Sequence, residues 1–489
     1  MHRALLRSPL LAVAAAALSL AAAVPSAALP IRVSGHSPYA RCRVRIARSE
    51  TEYVNSEVEP YVAVDPTDRD RLIGVWQQDR LSFGGAKGLV AASSSDRGRT
   101  WSETTLPFDA CAPRGLDFER ASDPWVSIGP DGTAYAISIS FDFFSDADNV
   151  VAAATSRDGG LTWSAPVVVH ANLGAEGRSF FDDKESITAD PTRPGVAYAV
   201  WDRFQSSSDR DARDRIAEIE GGRVPRGARM RTTPIWFAKT TDGGRTWSAR
   251  EIYAPGAGNF TIGSEIVVDP TTDVLYDVFG LTRKGRDYVA FIRSVDGGAT
   301  WSTPTLIARD RDLGVADPNT GAPLRVGALP DAAVDPRDGS LYVVWEASRH
   351  NGGQHDDIIL SRSGDGGRSW TRPRRVETLT GLPAFTPAVE VNSRGIVGVS
   401  YYDLRDIGSH TRTLPTDAWL VRLRRHGERR ISETKLAGPF DTLSAPFAGG
   451  YFLGDYEGLA ASGRRFEALF AVANHGREHN PTDIVSELR

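Results

Sequence analysis

Cysteine is nearly missing. Cys42 and Cys111 are the only two in 489 residues, which rules out a disulfide scaffold and leaves room for at most one bridge. No strongly basic run occurs and the formal net charge is −5, so nucleic acid is not expected as a partner. Ser-His-Asp signatures, P-loops and zinc-spaced clusters are absent; His350 and His355 flank Gly352-Gly353 without further ligands nearby. No metal or other cofactor is expected. The one long apolar run, Leu10–Val24, follows Arg3 and Arg7 and leads into Pro25-Ser26-Ala27-Ala28. That is the layout of a secretory signal peptide, and it is short for a spanning helix. Cleavage after Ala28 is expected, leaving 29–489 as one domain without a membrane span, secreted or periplasmic. In that compartment a Cys42–Cys111 bridge is permitted. Helical periodicity is otherwise almost absent; the charged stretch Asp209–Glu220 reads equally as a short helix or a loop.

What the chain does contain is a repeat. The pattern Ser/Thr-x-Asp-x-Gly-x-Thr/Ser-Trp occurs five times, at Ser94–Trp101, Ser156–Trp163, Thr240–Trp247, Ser294–Trp301 and Ser363–Trp370. Each reads as a tight hairpin turn. Asp96, Asp158, Asp242, Asp296 and Asp365 can accept from backbone N–H groups ahead of them, glycine supplies positive φ, and tryptophan caps the turn with apolar surface. Ahead of each box lie two β-rich runs joined by a Pro/Gly/Asp turn, such as Tyr61–Val64 to Leu72–Trp76 through Asp65-Pro66. With the runs beside the box, each unit makes a four-stranded antiparallel meander. Two further units, beginning at Ala388 and Gly458, lack a box. The chain is therefore expected to be an all-β propeller of four-stranded blades. Seven blades are favoured and six are possible. The N-terminal run Cys42–Ile46 is the candidate fourth strand of the last unit, closing the ring and removing an open edge.

Strand direction sorts the loops. The Asp-Pro turns and the boxes share one face; the long irregular connections share the other, where binding and catalysis concentrate. Strand starts facing the central well on that side supply Glu59, Asp123, Asp183-Lys184-Glu185, Glu265, Asp331 and Asp455-Tyr456. Arginine recurs just after the second strand, at Arg80, Arg203, Arg283, Arg349 and Arg405. Convergent arginines bind a carboxylate through bidentate hydrogen bonds, and interleaved acids and tyrosines offer acid, base and nucleophile groups. The same charges can equally pair with one another. Phe141, Phe143, Phe144, Phe180, Phe181, Tyr401 and Tyr402 are candidates for stacking sugars or anchoring a partner, or for the core. Asp142, Asp146, Asp148 and Asn149 offer oxygen ligands on one loop, with a spacing that matches no established calcium loop.

The five boxes resemble the Asp box, or BNR repeat, of the sialidase (neuraminidase) superfamily, whose members are β-propellers. The resemblance covers most of residues 59–372. It implies a carboxylate-gripping set of arginines, a tyrosine nucleophile activated by a glutamate, and an aspartate acid/base. Gly263-Ser264-Glu265-Ile266-Val267-Val268-Asp269 running on to Arg283 looks like the family stretch carrying the glutamate and one arginine. Asp455-Tyr456-Glu457-Gly458-Leu459 stands where the family places its tyrosine, and Trp76-Gln77-Gln78-Asp79-Arg80 resembles its first arginine-bearing strand end. The chain departs from the family at Glu59-Pro60-Tyr61, where an Arg-Ile-Pro motif is expected, and in Leu81–Gly88, which contains no aspartate. These departures argue against strict exo-sialidase activity. The expected site residues are Glu265, Tyr456, Asp202, Asp403 and Glu346 for chemistry, with Arg80, Arg203, Arg283, Arg405 and Tyr402 for substrate. The expected function is a secreted, glycoside hydrolase-like propeller acting on a glycan or glycoconjugate at the loop-rich face. The alternative is a non-catalytic propeller that binds glycan or protein there.

Overall fold

The structure is a computed structural model that describes residues 29–143, 148–206, 230–327, 329–378, 380–427 and 429–489. The candidate signal peptide, the Asp209–Glu220 stretch, Phe144 and Asp146 lie outside the described residues. Among the described residues the antiparallel strands form four four-stranded sheets, one of five strands and one of eight, the last made of two successive meanders joined at Ala86↔Ala121, so that they divide into seven units. The inner strands are Glu57–Val64, Arg120–Ile128, Phe180–Ala189, Phe260–Val268, Asp331–Val334, Ala384–Val391 and Gly458–Ser462. Each packs against the inner strand of the next unit, and the seventh packs against the first. The result is a ring of sheets, the β-propeller arrangement, in which side chains of adjacent sheets fill the space between units. Trp76, Trp201 and Trp345 on the second strands of units one, three and five are fully buried in those layers.

Ring closure differs from the sequence expectation. Ile31–Arg32, not Cys42–Ile46, forms the fourth strand of unit seven, pairing antiparallel with Thr482–Leu488 through Ile31↔Ser486 and Arg32↔Val485. Val33 N–H extends the seam by donating to the Ile484 carbonyl at 2.8 Å. Residues 42–46 run as coil, and Cys42 is held by a disulfide to Cys111 with a Cα–Cα distance of 5.7 Å. That tether fixes the segment without a strand.

All five boxes share one hydrogen-bond pattern. In the third, Asp242 Oδ1 accepts from Thr240 Oγ1 at 2.9 Å and from Thr246 N at 3.0 Å, and Oδ2 accepts from Thr246 Oγ1 at 2.7 Å. Thr240 Oγ1 in turn accepts from Gly244 N at 3.0 Å. These bonds, led by the one from Thr246, hold the Asp242 carboxyl down at about 2. The final glycine of each box lies against the preceding unit. A Cβ at Gly160 would meet Ile73, at Gly244 it would meet Thr155, at Gly298 the Phe237 ring and at Gly367 the Phe291 ring. Gly98 makes the corresponding approach to Glu467 and Ser486 of unit seven. In unit six, which has no box, Gly427 does the same against Leu360. The boxes are thus turn-formers and also inter-blade contacts.

Candidate functional site

The inner strands are built to aim side chains at the axis. Five of them break register near their start, between Val58 and Tyr61, Ser122 and Trp125, Asp183 and Ser186, Ile262 and Glu265, and Phe385 and Ala388. The residue inside each break is left-handed: Glu59 at φ 53°, Asp123 at 51°, Lys184 at 55°, Gly263 at 68° and Thr386 at 50°. A bulge of this kind re-aims a side chain that strand alternation would send elsewhere. Four of these positions are not glycine, and such strain gathers at functional sites.

Three of the bulged residues meet. Lys184 Nζ lies 3.0 Å from Asp123 Oδ2, 2.8 Å from Asp455 Oδ2 and 3.7 Å from Glu59 Oε1. Arg325 adds a second cation through Nη2 to Asp455 Oδ2 at 2.6 Å and Nε to Oδ1 at 3.2 Å. Gln77 bridges Glu59 and Ser122, and Arg80 donates to Gln77 Oε1 at 2.6 Å. Burial works against ionisation of Asp455, yet Arg325 and Lys184 hold its carboxyl well below the usual range. Glu59 goes the other way: burial, then the charge of Asp123, pushes it well up. Glu185, next in sequence to Lys184, is buried with both carboxyl oxygens lacking a hydrogen bond, and burial pushes it up as well. The network therefore holds ionised and protonated carboxyl groups side by side.

This network floors a cleft of about 400 Å³ on the loop-rich face. Asp183, Lys184, Arg325 and Asp455 form its inner end; Thr282, Asp287, Tyr288, Asp310 and Asp312 form its outer wall. Asp310 Oδ1 is buried without a hydrogen-bond partner. Burial, then the neighbouring Asp312 charge, lifts its carboxyl to about 8. One cleft thus presents a carboxyl that is protonated at neutral pH and a carboxylate that is fully ionised. Separating the ionisation of two acids in this way is how acid and base roles are divided between like residues.

Of the expected site residues, Tyr456 and Glu265 share a small cavity with Lys184 and Asp455, and the others lie elsewhere. Arg80, Arg203, Arg283 and Arg405 are not among the residues lining this cleft. Each of the buried ones is held within or beside its own unit. Arg203 donates to Asn172 Oδ1 at 2.5 Å and stacks on Phe180 and Trp236. Arg405 grips Asp403 and Glu433 over the Trp419 ring. Arg283 sits exposed at a turn. Asp202 is buried, accepts from Thr261 Oγ1 at 2.6 Å, and is raised by burial to about 6. Glu346 is buried and accepts from Thr386 N at 2.8 Å, while Tyr402 donates to Glu457 at 2.5 Å. Of the aromatic candidates, Phe141, Phe143, Phe181, Tyr401 and Tyr402 are core. Tyr456 is at the axis, with Oη donating to the Pro124 carbonyl at 3.2 Å. Burial, then Glu59 and Asp123, raise its hydroxyl, so it stands as a phenol among acids. Glu265 lines a second cavity of about 360 Å³ with Asp331 and Glu390, and it also lines the small cavity together with Tyr456, Lys184 and Asp455.

No family model matches the chain. Among solved structures the chain is similar to an α-L-arabinanase from Penicillium chrysogenum complexed with arabinobiose, at 14% identity, TM-score 0.48, and coverage of 95% of this chain and 98% of that one. It is similar to an α-L-arabinofuranosidase from Fusarium graminearum at 13% identity, TM-score 0.44, covering 72% and 92%. A sialidase from Streptococcus pneumoniae gives 12% identity, TM-score 0.43, covering 93% and 69%.

Arg325 and Asp310 are the residues that sequence reasoning missed. Arg325 reaches the axis because Leu324–Arg325 pairs parallel with Tyr451–Phe452, a contact between two loops far apart in the chain. Asp310 lies in Arg309-Asp310-Arg311-Asp312, which reads as a solvated charge run. Lys184, Asp123, Glu59 and Asp455 did carry a signal, as charged residues at inner-strand starts.

Proposed function

We propose that this chain is an exported glycan-acting propeller that hydrolyses glycosidic bonds in the cleft of its loop-rich face. The observation that carries this reading is one cleft lined both by Asp310, whose buried Oδ1 has no hydrogen-bond partner and whose carboxyl is pushed up by burial to about 8, and by Asp455, gripped by Arg325 and Lys184. Asp310 gives its proton to the glycosidic oxygen as the bond to the anomeric carbon breaks. Positive charge gathering on the sugar ring faces the Asp455 carboxylate, held in place by Arg325 and Lys184. Water then adds to the anomeric carbon and its proton returns to Asp310. Tyr456 and Glu265, the pair suggested by family resemblance, serve in this reading to shape the axial channel beneath. The Cys42–Cys111 bridge supports export to an oxidising compartment.

One observation favours a second reading. Both oxygens of Asp455 are engaged by Arg325, an arrangement that suits a propeller binding glycan without cutting it. Turnover of a panel of aryl glycosides by the wild type and by Asp310→Asn separates the two. The hydrolytic reading expects cleavage of at least one member and its loss in the variant. Unchanged turnover in Asp310→Asn overturns the assignment, and glycan binding without any cleavage establishes the second reading.

A further inference from the structure

We infer that the glycan taken by the cleft is uncharged at the sugar residue bound there. The inference rests on the cleft being the glycan site, and it adds a substrate class. Five aspartates line the cleft, namely Asp183, Asp287, Asp310, Asp312 and Asp455, against two cations, Lys184 and Arg325; Asp310 keeps its proton, which leaves the other four to oppose a further negative charge. Both cations already carry carboxylates of the chain. Lys184 faces Asp123, Asp455 and Glu59, and Arg325 holds Asp455 through two donors. A sugar carboxylate would have to compete with Asp455 for Arg325 while approaching the outer wall of acids. Leaving a buried carboxylate without its cation costs more than an exposed pair returns.

An uncharged sugar meets complementary chemistry in the same place. Its hydroxyls donate to carboxylates at the exposed Asp287 and Asp312, and its C–H faces lie on the half-buried Tyr288 and Leu329. Asp287 already accepts a hydroxyl, that of Thr282 at 2.6 Å, which illustrates the geometry available at the rim. The cleft therefore selects against anionic sugars by repulsion as well as for neutral ones by hydrogen bonding.

Binding is the direct test, because it is read independently of turnover. Uncharged oligosaccharides of pentoses and hexoses are titrated by ligand-observed NMR beside oligosaccharides ending in sialic or uronic acid, with wild type and Asp312→Lys. The expected result is binding of an uncharged member, with carboxylated members weaker by about tenfold or more. Asp312→Lys, a change at an exposed position, narrows that ratio by strengthening the carboxylated ligands. Equal or tighter binding of a carboxylated sugar by wild type overturns the inference, as does an unchanged ratio in Asp312→Lys. Cleavage of a sialoside or uronide would sink the substrate class and leave hydrolysis standing. Binding of uncharged glycan without cleavage would do the reverse, and absence of all glycan binding overturns both.

Discussion

Aspartate is put to opposite uses on the two faces of this ring. On the short-turn face Asp242 is half-buried and accepts four hydrogen bonds inside its own hairpin, which hold its carboxyl down at about 2. On the loop-rich face Asp310 has a buried oxygen with no partner and titrates at about 8. The difference comes from solvation and donors, since the side chain is the same. Where local backbone and hydroxyl donors converge on a carboxylate, the charge is stable and the residue fixes a turn. Where burial and a like charge outweigh the local backbone donors, the proton stays on and the group can deliver it.

The contrast can be broken most forcefully at the axis. Lys184→Met leaves Asp123 and Asp455 short of a buried cation and is expected to cost about 3–5 kcal/mol in denaturant unfolding; a loss within error would mean the network does not hold the inner strands. Next comes Asp310→Asn, expected to lower kcat by roughly 10²–10⁴-fold on any cleaved glycoside while leaving the melting temperature intact. Wild-type kcat/KM should fall as pH rises through about 8, where Asp310 loses its proton, and the variant should lack that limb. Gly298→Ala probes the other face. Its Cβ would enter the Phe237 ring at a backbone φ of 88°, so a loss of roughly 1–3 kcal/mol with unchanged substrate preference is expected. Smallest is Asp242→Ala, for which the melting temperature should drop by a few degrees at most and turnover stay at the wild-type level. Lost turnover in the folded variant would end the division of labour between the faces.

A pH series sharpens the same contrast without mutation. Asp331, lifted to about 8, and Glu390, lifted to about 7, hold protons in the fold that the unfolded chain releases near pH 4. Their contribution to stability is complete below the unfolded value and is lost as pH rises through about 7–8. The boxes work in the other direction: Asp242, Asp296 and Asp365, all lowered to about 2, contribute above the unfolded value and fail as pH falls toward 2. Asp331→Asn should accordingly raise the melting temperature at pH 8 relative to wild type and leave the acid limb alone.

Local signals were readable in the sequence. Thr240–Trp247 and its four counterparts carry their hydrogen-bond partners within eight residues, so their turns follow from spacing. The assignment of long loops to one face follows from strand direction alone. The seam strand is not legible in the sequence because Ile31–Arg32 is two residues long and has no periodicity, while 42–46 has a strand-like composition. The arginines after the second strands were visible as a repeat, but their partners were not. Asn172 beside Arg203 and Glu433 beside Arg405 come from outer strands and adjoining segments whose register no short pattern encodes. Arg325 depends on a pairing with a loop more than a hundred residues away, which only the folded ring creates.

The contact made by each box glycine bears on where this chain can be divided. Because Gly298 closes against Phe237 and Gly367 against Phe291, a sheet excised at its own first and last strand would lose the wedge seated on it by its successor. A piece extended through the following box would keep that wedge. Limited proteolysis should therefore release stable fragments whose ends overrun the sheet boundaries by the first three strands of the next unit and its box, and circular permutants opened inside a box should tolerate the cut less well than those opened in the long connections.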